Sequence, residues 1–393
     1  MATVSKWGNS YKITCSCGYD IYGKQIRQHM TWTPKPGMTE RQIEKELQRQ
    51  TTLFEERTKN ALTHDGNIRF QHFAEKFIQE YAKPMLKART AWGYEQKLER
   101  INQAIGHVKL KDLKPAHINS FYANLQEDGM HKQSGGKLSP GTIHTYHRVL
   151  SAILFRAVKW GYISANPAAR ADLPSLKNRK AAYLDEPDAR RLLELLHDEP
   201  IRWRTMITFD LLSGLRRGEL LGLRWGDIDT EAQTIMINQT SNYLPNRGVY
   251  IDTPKSSTSN RPLRLSQSAF TLLMEYKAWQ DKQREACGDA WRDKDDRIFT
   301  ADDGAPVFPD SISQWFTKFV KRVCLPKVTV HSLRHTYASL MIADGVPLVV
   351  VSSQLGHAQP STTANIYAHV IASAEAKAAQ TFDKFADVIT AKD

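Results

Sequence analysis

Between Phe70 and Trp160 apolar side chains return at three- and four-residue intervals, and a chain with that period must pack helices side by side to bury them. Phe70, Phe73, Ala74, Phe77, Ile78 and Tyr81 make one stripe. Trp92, Leu98, Ile101 and Ile105 make a second, on a helix from Arg89 to Ile105. Lys114-Pro115 opens a third through Ile118, Phe121, Tyr122 and Leu125. Ser139-Pro140, an N-cap followed by proline at the first helical position, opens a fourth that runs through Ile143, Leu150, Ile153 and Leu154 to Trp160-Gly161. No stripe is buried without the others, so residues 67–168 are expected to form a four-helix domain whose aromatic residues are its core.

That domain leaves much of the 393-residue chain for other folding units. Residues 1–62 read as a small β-sheet followed by a helix. Tyr11–Cys17 and Ile26–Thr33 have strand character, Tyr19–Lys24 is the turn between them, and Thr39 caps a helix running to Lys59. Residues 169–182 are a linker with Pro174 and a basic run. Residues 183–393 mix helices with short strands at Thr234–Asn238, Gly248–Asp252 and Arg261–Leu265, expected to form one small sheet. Beyond them come helices at Ser266–Ala286, Pro309–Arg322, His331–Asp344, Pro347–Leu355 and Thr362–His369, and an apolar-faced tail helix at 373–389. The fold class expected is multidomain and mainly α with small β-sheets, its last domain α+β.

The formal charge of +12 and pI near 9.4 favour a polyanionic partner. In the first block Lys6, Lys12, Lys24 and Arg27 are interleaved with Tyr22 and Trp32, and the linker carries Lys177, Arg179 and Lys180. These are the candidate nucleic-acid contacts. No apolar run is long enough to span a bilayer, and the first residues lack the apolar core of a secretory signal. With only four cysteines, a reduced cytoplasmic setting is expected. Cys15 and Cys17 with His29 lack a second ligand pair for zinc and fit better as one face of a strand.

The chemistry-bearing residues fall in the last half of the chain. His331 and Arg334 are three apart on a helix and project from one face, both able to donate to a phosphate oxygen. Arg216 and Glu219 repeat that spacing, and a carboxylate there could orient the guanidinium. Lys255 sits in a Ser/Thr/Asn-rich hairpin, a position from which an amine can protonate a departing oxygen. His357 and Tyr367 follow ten residues apart. A tyrosine becomes a useful nucleophile only where cations stabilise the phenolate and the charge developing on phosphorus. No carboxylate cage for a metal accompanies these residues.

The segments SGLRRGELLGLRWGDID, HSLRHTYASLMIADG and LGHAQPSTTANIYAHV resemble the signature boxes of the tyrosine recombinase (phage integrase) family in order, spacing and flanking residues. The helical block resembles that family's SAM-like core-binding domain. The first block resembles the arm-binding domain of integrases from phages and conjugative transposons. The resemblance implies Tyr367 as nucleophile, forming a 3′-phosphotyrosyl link, and Arg216 and Arg334 on the non-bridging oxygens. It makes His331 a proton acceptor or oxygen donor, His357 a phosphate donor, Lys255 the general acid and Glu219 a supporting carboxylate. The Gly-Leu-Arg context favours Arg216 over Arg217. Also implied are double-stranded DNA partners at core and arm attachment sites, a homotetramer on synapsed DNA, an excisionase and a host DNA-bending protein. No metal, ATP or membrane is expected to take part. Two other readings stay open: a type IB topoisomerase-like activity, and a DNA-binding protein on the same scaffold without catalysis.

Overall fold

The first strand, Thr3–Trp7 (β1), turns back through Gly8, at φ 56°, into Ser10–Tyr19 (β2), which pairs in turn with Gln25–Trp32 (β3). This gives an antiparallel sheet in the order β1-β2-β3. The sequence reading missed β1 because all five of its residues are exposed, so no apolar alternation marks it. Helix α1 (Glu40–Lys59) lies across one face, where Ile13, Cys15 and Phe54 are buried. In the register Lys6, Tyr11, Ile13, Met30 and Trp32 share that face, whereas Trp7, Lys12, Thr14, Arg27 and His29 share the other. Cys15 and His29 therefore point apart, which removes the geometry of a shared metal site.

The structure is a computed structural model describing residues 2–19, 25–59, 66–131, 134–176, 182–253, 260–364 and 366–368. It divides into two units, Met1–Asn178 and Arg179–Asp393. Most of the expected turn at 19–24 and the tail at 373–389 lie outside the described residues.

In the helical part of the first unit α2 (Phe70–Phe77) continues through a widened π turn, Ile78–Ala82, into a short α3 (Lys83–Met85). Pro84 explains the widening: it has no N–H to give and its ring would strike the carbonyl four residues back. Helices α4 (Ala88–Ile105), α5 (Pro115–Asn124) and α6 (Pro140–Lys159) complete the bundle. Ser139 caps α6 as its side chain accepts from the Thr142 amide at 3.3 Å. Phe73 sits edge-on to Trp160 and Tyr162, with centroids 5.7 and 5.0 Å away, so these aromatic residues are core. Trp92, expected to point inward, is instead half-buried outside that core with Arg89 over its ring at 4.8 Å.

The second unit is built round α8 (Ile201–Ser213), which is buried on nearly every side: Thr205, Met206, Ile207, Phe209, Asp210, Leu211 and Ser213 are all enclosed. α7 (Glu186–Leu196), α10 (Gln267–Cys287), α11 (Pro309–Arg322) and α12 (Val330–Ala343) supply the surrounding core. A four-residue helix α9 (Arg217–Leu220) follows α8 directly. The strands do not form one sheet as expected. β4 (Ile228–Asp229), β5 (Thr234–Ile237) and β8 (Arg261–Arg264) make one ladder, while β6 (Thr240–Leu244) and β7 (Gly248–Asp252) make a separate hairpin. β6 escaped the sequence reading because TSNYL buries no alternating set of side chains. After α13 (Leu348–Leu355) the chain turns at Gly356 into a helical segment, 360–364 and 366–368, that holds Tyr367. Among the described residues no helix is long and apolar enough to cross a membrane.

Candidate active site

Two helix ends build the site. α8 stops at Gly214 and α13 at Gly356, both left-handed at φ 60° and φ 65°. Glycine takes this conformation without the strain a Cβ brings. Each is also crowded: a Cβ on Gly214 would lie 2.4 Å from the Tyr337 ring, and one on Gly356 2.7 Å from the Arg261 guanidinium. The carbonyls left over at these ends carry the negative pole of their helices and face cations.

Three successive carbonyls at the end of α13 each accept from a different arginine. Arg261 Nε donates to Gln354 O at 2.7 Å, Arg334 Nη2 to Leu355 O at 2.6 Å, and Arg216 Nη2 to Gly356 O at 3.3 Å. Arg334 also donates to Gly214 O at 2.8 Å, which ties the ends of α8 and α13 to one guanidinium. Thr329 and Ser332 cap α12 reciprocally and set the turn from which His331 and Arg334 emerge.

Glu219 lies beneath the arginines and is 1% exposed. As the third residue of α9 it accepts from the Arg216 amide at 3.1 Å, and its carboxylate also takes Arg216 Nη1 at 2.7 Å and Arg261 Nη2 at 3.2 Å. Burial would raise its pKa, but Arg261 and Arg216 outweigh this and hold it below the usual carboxylate range. Arg217, next to Arg216 in sequence, turns away to Asp310 and Ser313 at 2.9 and 2.8 Å.

Arg334 is 2% exposed, and burial together with the Arg216 charge brings its pKa down to about 10, so it stays charged at neutral pH. His357 bonds Thr363 at 2.8 Å through Nδ1. Burial, then Arg334, Arg216 and Arg261, hold its pKa down to about 4, leaving a neutral ring. His331 is exposed and its pKa is lowered by desolvation, Arg334 and Arg216. Tyr367 is 2% exposed, and burial lifts its pKa to about 12 against the pull of Arg334.

The structure thus brings Arg216, Glu219, His331, Arg334, His357 and Tyr367 to one place. Lys255 lies outside the described residues, as do Tyr22, Lys24, Lys177, Arg179 and Lys180. Lys12 and Arg27 share the open face of the N-terminal sheet with Trp7, which is 80% exposed, while Lys6 and Trp32 lie on the face toward α1. Sequence reasoning missed three members of the site. Arg261 had no motif to mark it. Asp210, wholly buried on α8, has two carboxylate oxygens that make no hydrogen bond among the described residues; burial raises its pKa well above the usual range despite Arg334. His335, whose Nδ1 lies 2.8 Å from the Tyr367 hydroxyl, stood next to a residue already singled out. Among the described residues no group of three His, Cys, Asp or Glu is placed to hold a metal ion.

A buried tyrosine beside clustered guanidiniums and histidines is an arrangement suited to phosphoryl transfer through tyrosine. Comparison with known proteins identifies the class more closely. The phage integrase family matches residues 182–373, and the phage integrase SAM-like domain matches residues 69–173. A tyrosine recombinase XerC-like protein of Caldanaerobacter subterraneus subsp. tengcongensis is 26% identical over 95% of each chain. The ICEBs1 integrase of Bacillus subtilis is 25% identical over 74% of this chain and 77% of its own. In fold, the chain is similar to the Tn1549 transposon integrase solved with transposon right end DNA, at TM-score 0.66 and 21% identity, over 79% of this chain and 98% of that one. The chain belongs to the phage integrase family and is a tyrosine-type site-specific DNA recombinase.

Proposed function

We propose that this recombinase integrates and excises a mobile element, a prophage or conjugative transposon, by cutting its attachment sites with Tyr367. The phenolic oxygen attacks the scissile phosphorus, forming a 3′-phosphotyrosyl bond and releasing a 5′-oxygen that Lys255 protonates. Arg216 and Arg334 hold the non-bridging oxygens with the N–H groups not spent on carbonyls or, for Arg216, on Glu219, since a guanidinium has five to give. Neutral His357, with Nδ1 taking the Thr363 hydroxyl hydrogen, keeps its own on Nε2 and donates it to the phosphate. His331 gives a further donor at the exposed rim, and Glu219 sets the angle of Arg216. The guanidiniums supply the charge stabilisation that divalent ions give in other phosphoryl transfers, so no metal is called for. The phosphotyrosine keeps the energy of the broken bond, so no ATP is called for either.

Strand exchange between two duplexes breaks four strands and needs four nucleophiles, hence a homotetramer with one protomer on each half-site. The SAM-like block contacts core sites. The N-terminal sheet contacts arm sites through the open face carrying Trp7, Lys12 and Arg27, and this second foothold lets an excisionase or a host DNA-bending protein set direction. These DNA partners place the protein in the cytoplasm.

The observation that carries this reading is the meeting of Arg216, Arg334, His357 and Tyr367 at the end of α13. The test is a nicked duplex spanning the element's attachment core, on which cleavage traps a covalent protein–DNA adduct. The wild-type chain is expected to form it and Tyr367→Phe to bind the duplex without forming it. An adduct with the Phe variant refutes the assignment.

A further inference from the structure

The geometry points to His335, rather than His331, as the group that takes the phenolic proton of Tyr367 when the tyrosine attacks; this rests on the catalytic reading above. His335 Nδ1 lies 2.8 Å from the Tyr367 hydroxyl oxygen, within the reach required of a general base. Among the described residues no other histidine bonds that hydroxyl. His331, one turn earlier on α12, has its ring edge-on to His335 at 4.8 Å instead.

The surroundings of His335 load the pair in the required direction. His331 and Arg334 face it from its own helix, and Tyr367 and His357 face it from beyond α13. Burial, then His331 and Arg334, hold its pKa down to about 4, so at neutral pH the ring is an acceptor. Tyr367, raised to about 12 by burial, keeps its hydrogen and donates it to Nδ1, with the ring hydrogen on Nε2. So weak a base does not strip a free phenol. Transfer is timed to bond formation, because the phenolic oxygen acidifies as its bond to phosphorus forms. The phosphate that enters between Arg216 and Arg334 also offsets the cationic charge that depresses His335.

The step balances. The Tyr367 O–P bond forms as the P–O5′ bond breaks. The phenolic proton passes to His335 Nδ1, which becomes imidazolium, and O5′ takes its proton from Lys255. On rejoining, the 5′-hydroxyl attacks and returns its proton to Lys255, while the departing phenolate recovers its own from His335. A purely structural partner for a buried hydroxyl needs only to hydrogen-bond. Glutamine satisfies that role and cannot accept the proton, which separates the two roles.

The experiment uses the full chain on the nicked attachment-core duplex under single-turnover conditions. His335→Gln and His335→Ala are expected to slow adduct formation by about 10²- to 10⁴-fold, with DNA affinity within about threefold of wild type. The Ala variant's rate is expected to rise about tenfold per pH unit from pH 7 to 9, where wild type is flatter, and to recover with added imidazole. A duplex with sulfur at the bridging 5′ position has a leaving group that needs no proton. It is expected to restore Lys255→Ala and to leave His335→Ala slow. Wild-type rates in His335→Gln, faster cleavage in either variant, or restoration of His335→Ala by the sulfur substrate overturns the proposal. If His335→Ala does not fold, His335→Gln decides. An adduct with Tyr367→Phe would instead remove the underlying catalytic reading.

Discussion

Replacing Glu219 by glutamine tests whether one buried carboxylate holds the arginines in place. The side chain of Glu219 is 1% exposed and pairs with Arg261, itself 8% exposed, and with Arg216, whose side chain is 40% exposed. Taking the charge from the buried partner costs about 3–5 kcal/mol, whereas the share of the half-open Arg216 pair is about 0–1 kcal/mol. For a unit of this size that predicts a fall in melting temperature of roughly 6–20 °C. The pH dependence has a definite sign. A carboxyl held below its ordinary pKa of 4.5 contributes stability that is full above that value and is lost as pH falls through the folded-state pKa. The gap between wild type and Glu219→Gln should therefore narrow as pH drops below 4.5. Calorimetry of the full chain across pH 3–8 measures it. Adding Arg261→Met, which removes the buried cation as well, should recover part of the loss without restoring cleavage. A Glu219→Gln variant that melts within a degree or two of wild type at pH 7, or a gap that does not narrow in acid, would refute the reasoning.

Three further outcomes follow from the same geometry. Arg216→Ala should lower single-turnover cleavage by about 10²-fold or more, whereas Arg217→Ala, whose partners Asp310 and Ser313 lie elsewhere, should change it less than about threefold; equal losses would move the catalytic role. Asp210 holds its proton to higher pH in the folded chain than in the unfolded one, so its burial costs stability increasingly as pH rises above 3.8. Asp210→Asn should gain on wild type between pH 4 and 8 in denaturant titrations, and a growing deficit there would show that Asp210 is ionised and paired. Gly356→Ala should cost about 1–3 kcal/mol from its left-handed backbone alone and slow cleavage as well, because its new Cβ strikes the Arg261 guanidinium; unchanged adduct yield would argue against a role for the α13 carbonyls.

Members of the candidate site were legible in sequence where a residue's neighbours in the chain mark it, and hidden where only folding brings the residue in. Arg216, His331, Arg334, His357 and Tyr367 each stand in a short stretch of distinctive composition. Arg261 opens a strand of sequence RPLR, and nothing there separates it from Arg264 three residues on; its place under Glu219 exists only once β8 and α9 have packed. Asp210 follows Phe209 in a helix that also carries Arg202, Arg204, Thr205 and Thr208, so in sequence it reads as one more solvent-facing polar residue, although burial makes it the opposite. His335 was legible as a residue and illegible as a contact, because 32 residues separate it from the hydroxyl it meets. The widened turn at Ile78–Ala82 was marked in advance only by Pro84.

The use of backbone to hold the cations has an energetic consequence. Gln354, Leu355 and Gly356 offer carbonyls at a helix end, fixed dipoles that need no side-chain ordering and cannot titrate. They position the guanidiniums without neutralising them, and Glu219 is the ionised carboxylate that Arg216 and Arg261 share. Arg334 bears the residual strain: burial and the nearby Arg216 charge lower its pKa from 12.5 to about 10, a disfavouring of its cation by roughly 3 kcal/mol. An acidic side chain against Arg334 would relieve that strain in the free protein and leave less for substrate. In the mechanism proposed above, neutral carbonyls leave it in place until a phosphate supplies the missing charge, and the relief is greatest in the transition state, where the phosphate oxygens carry most negative charge. On that reading, fixing Arg334 with backbone carbonyls rather than with a carboxylate directs its electrostatic energy toward the reacting phosphorus.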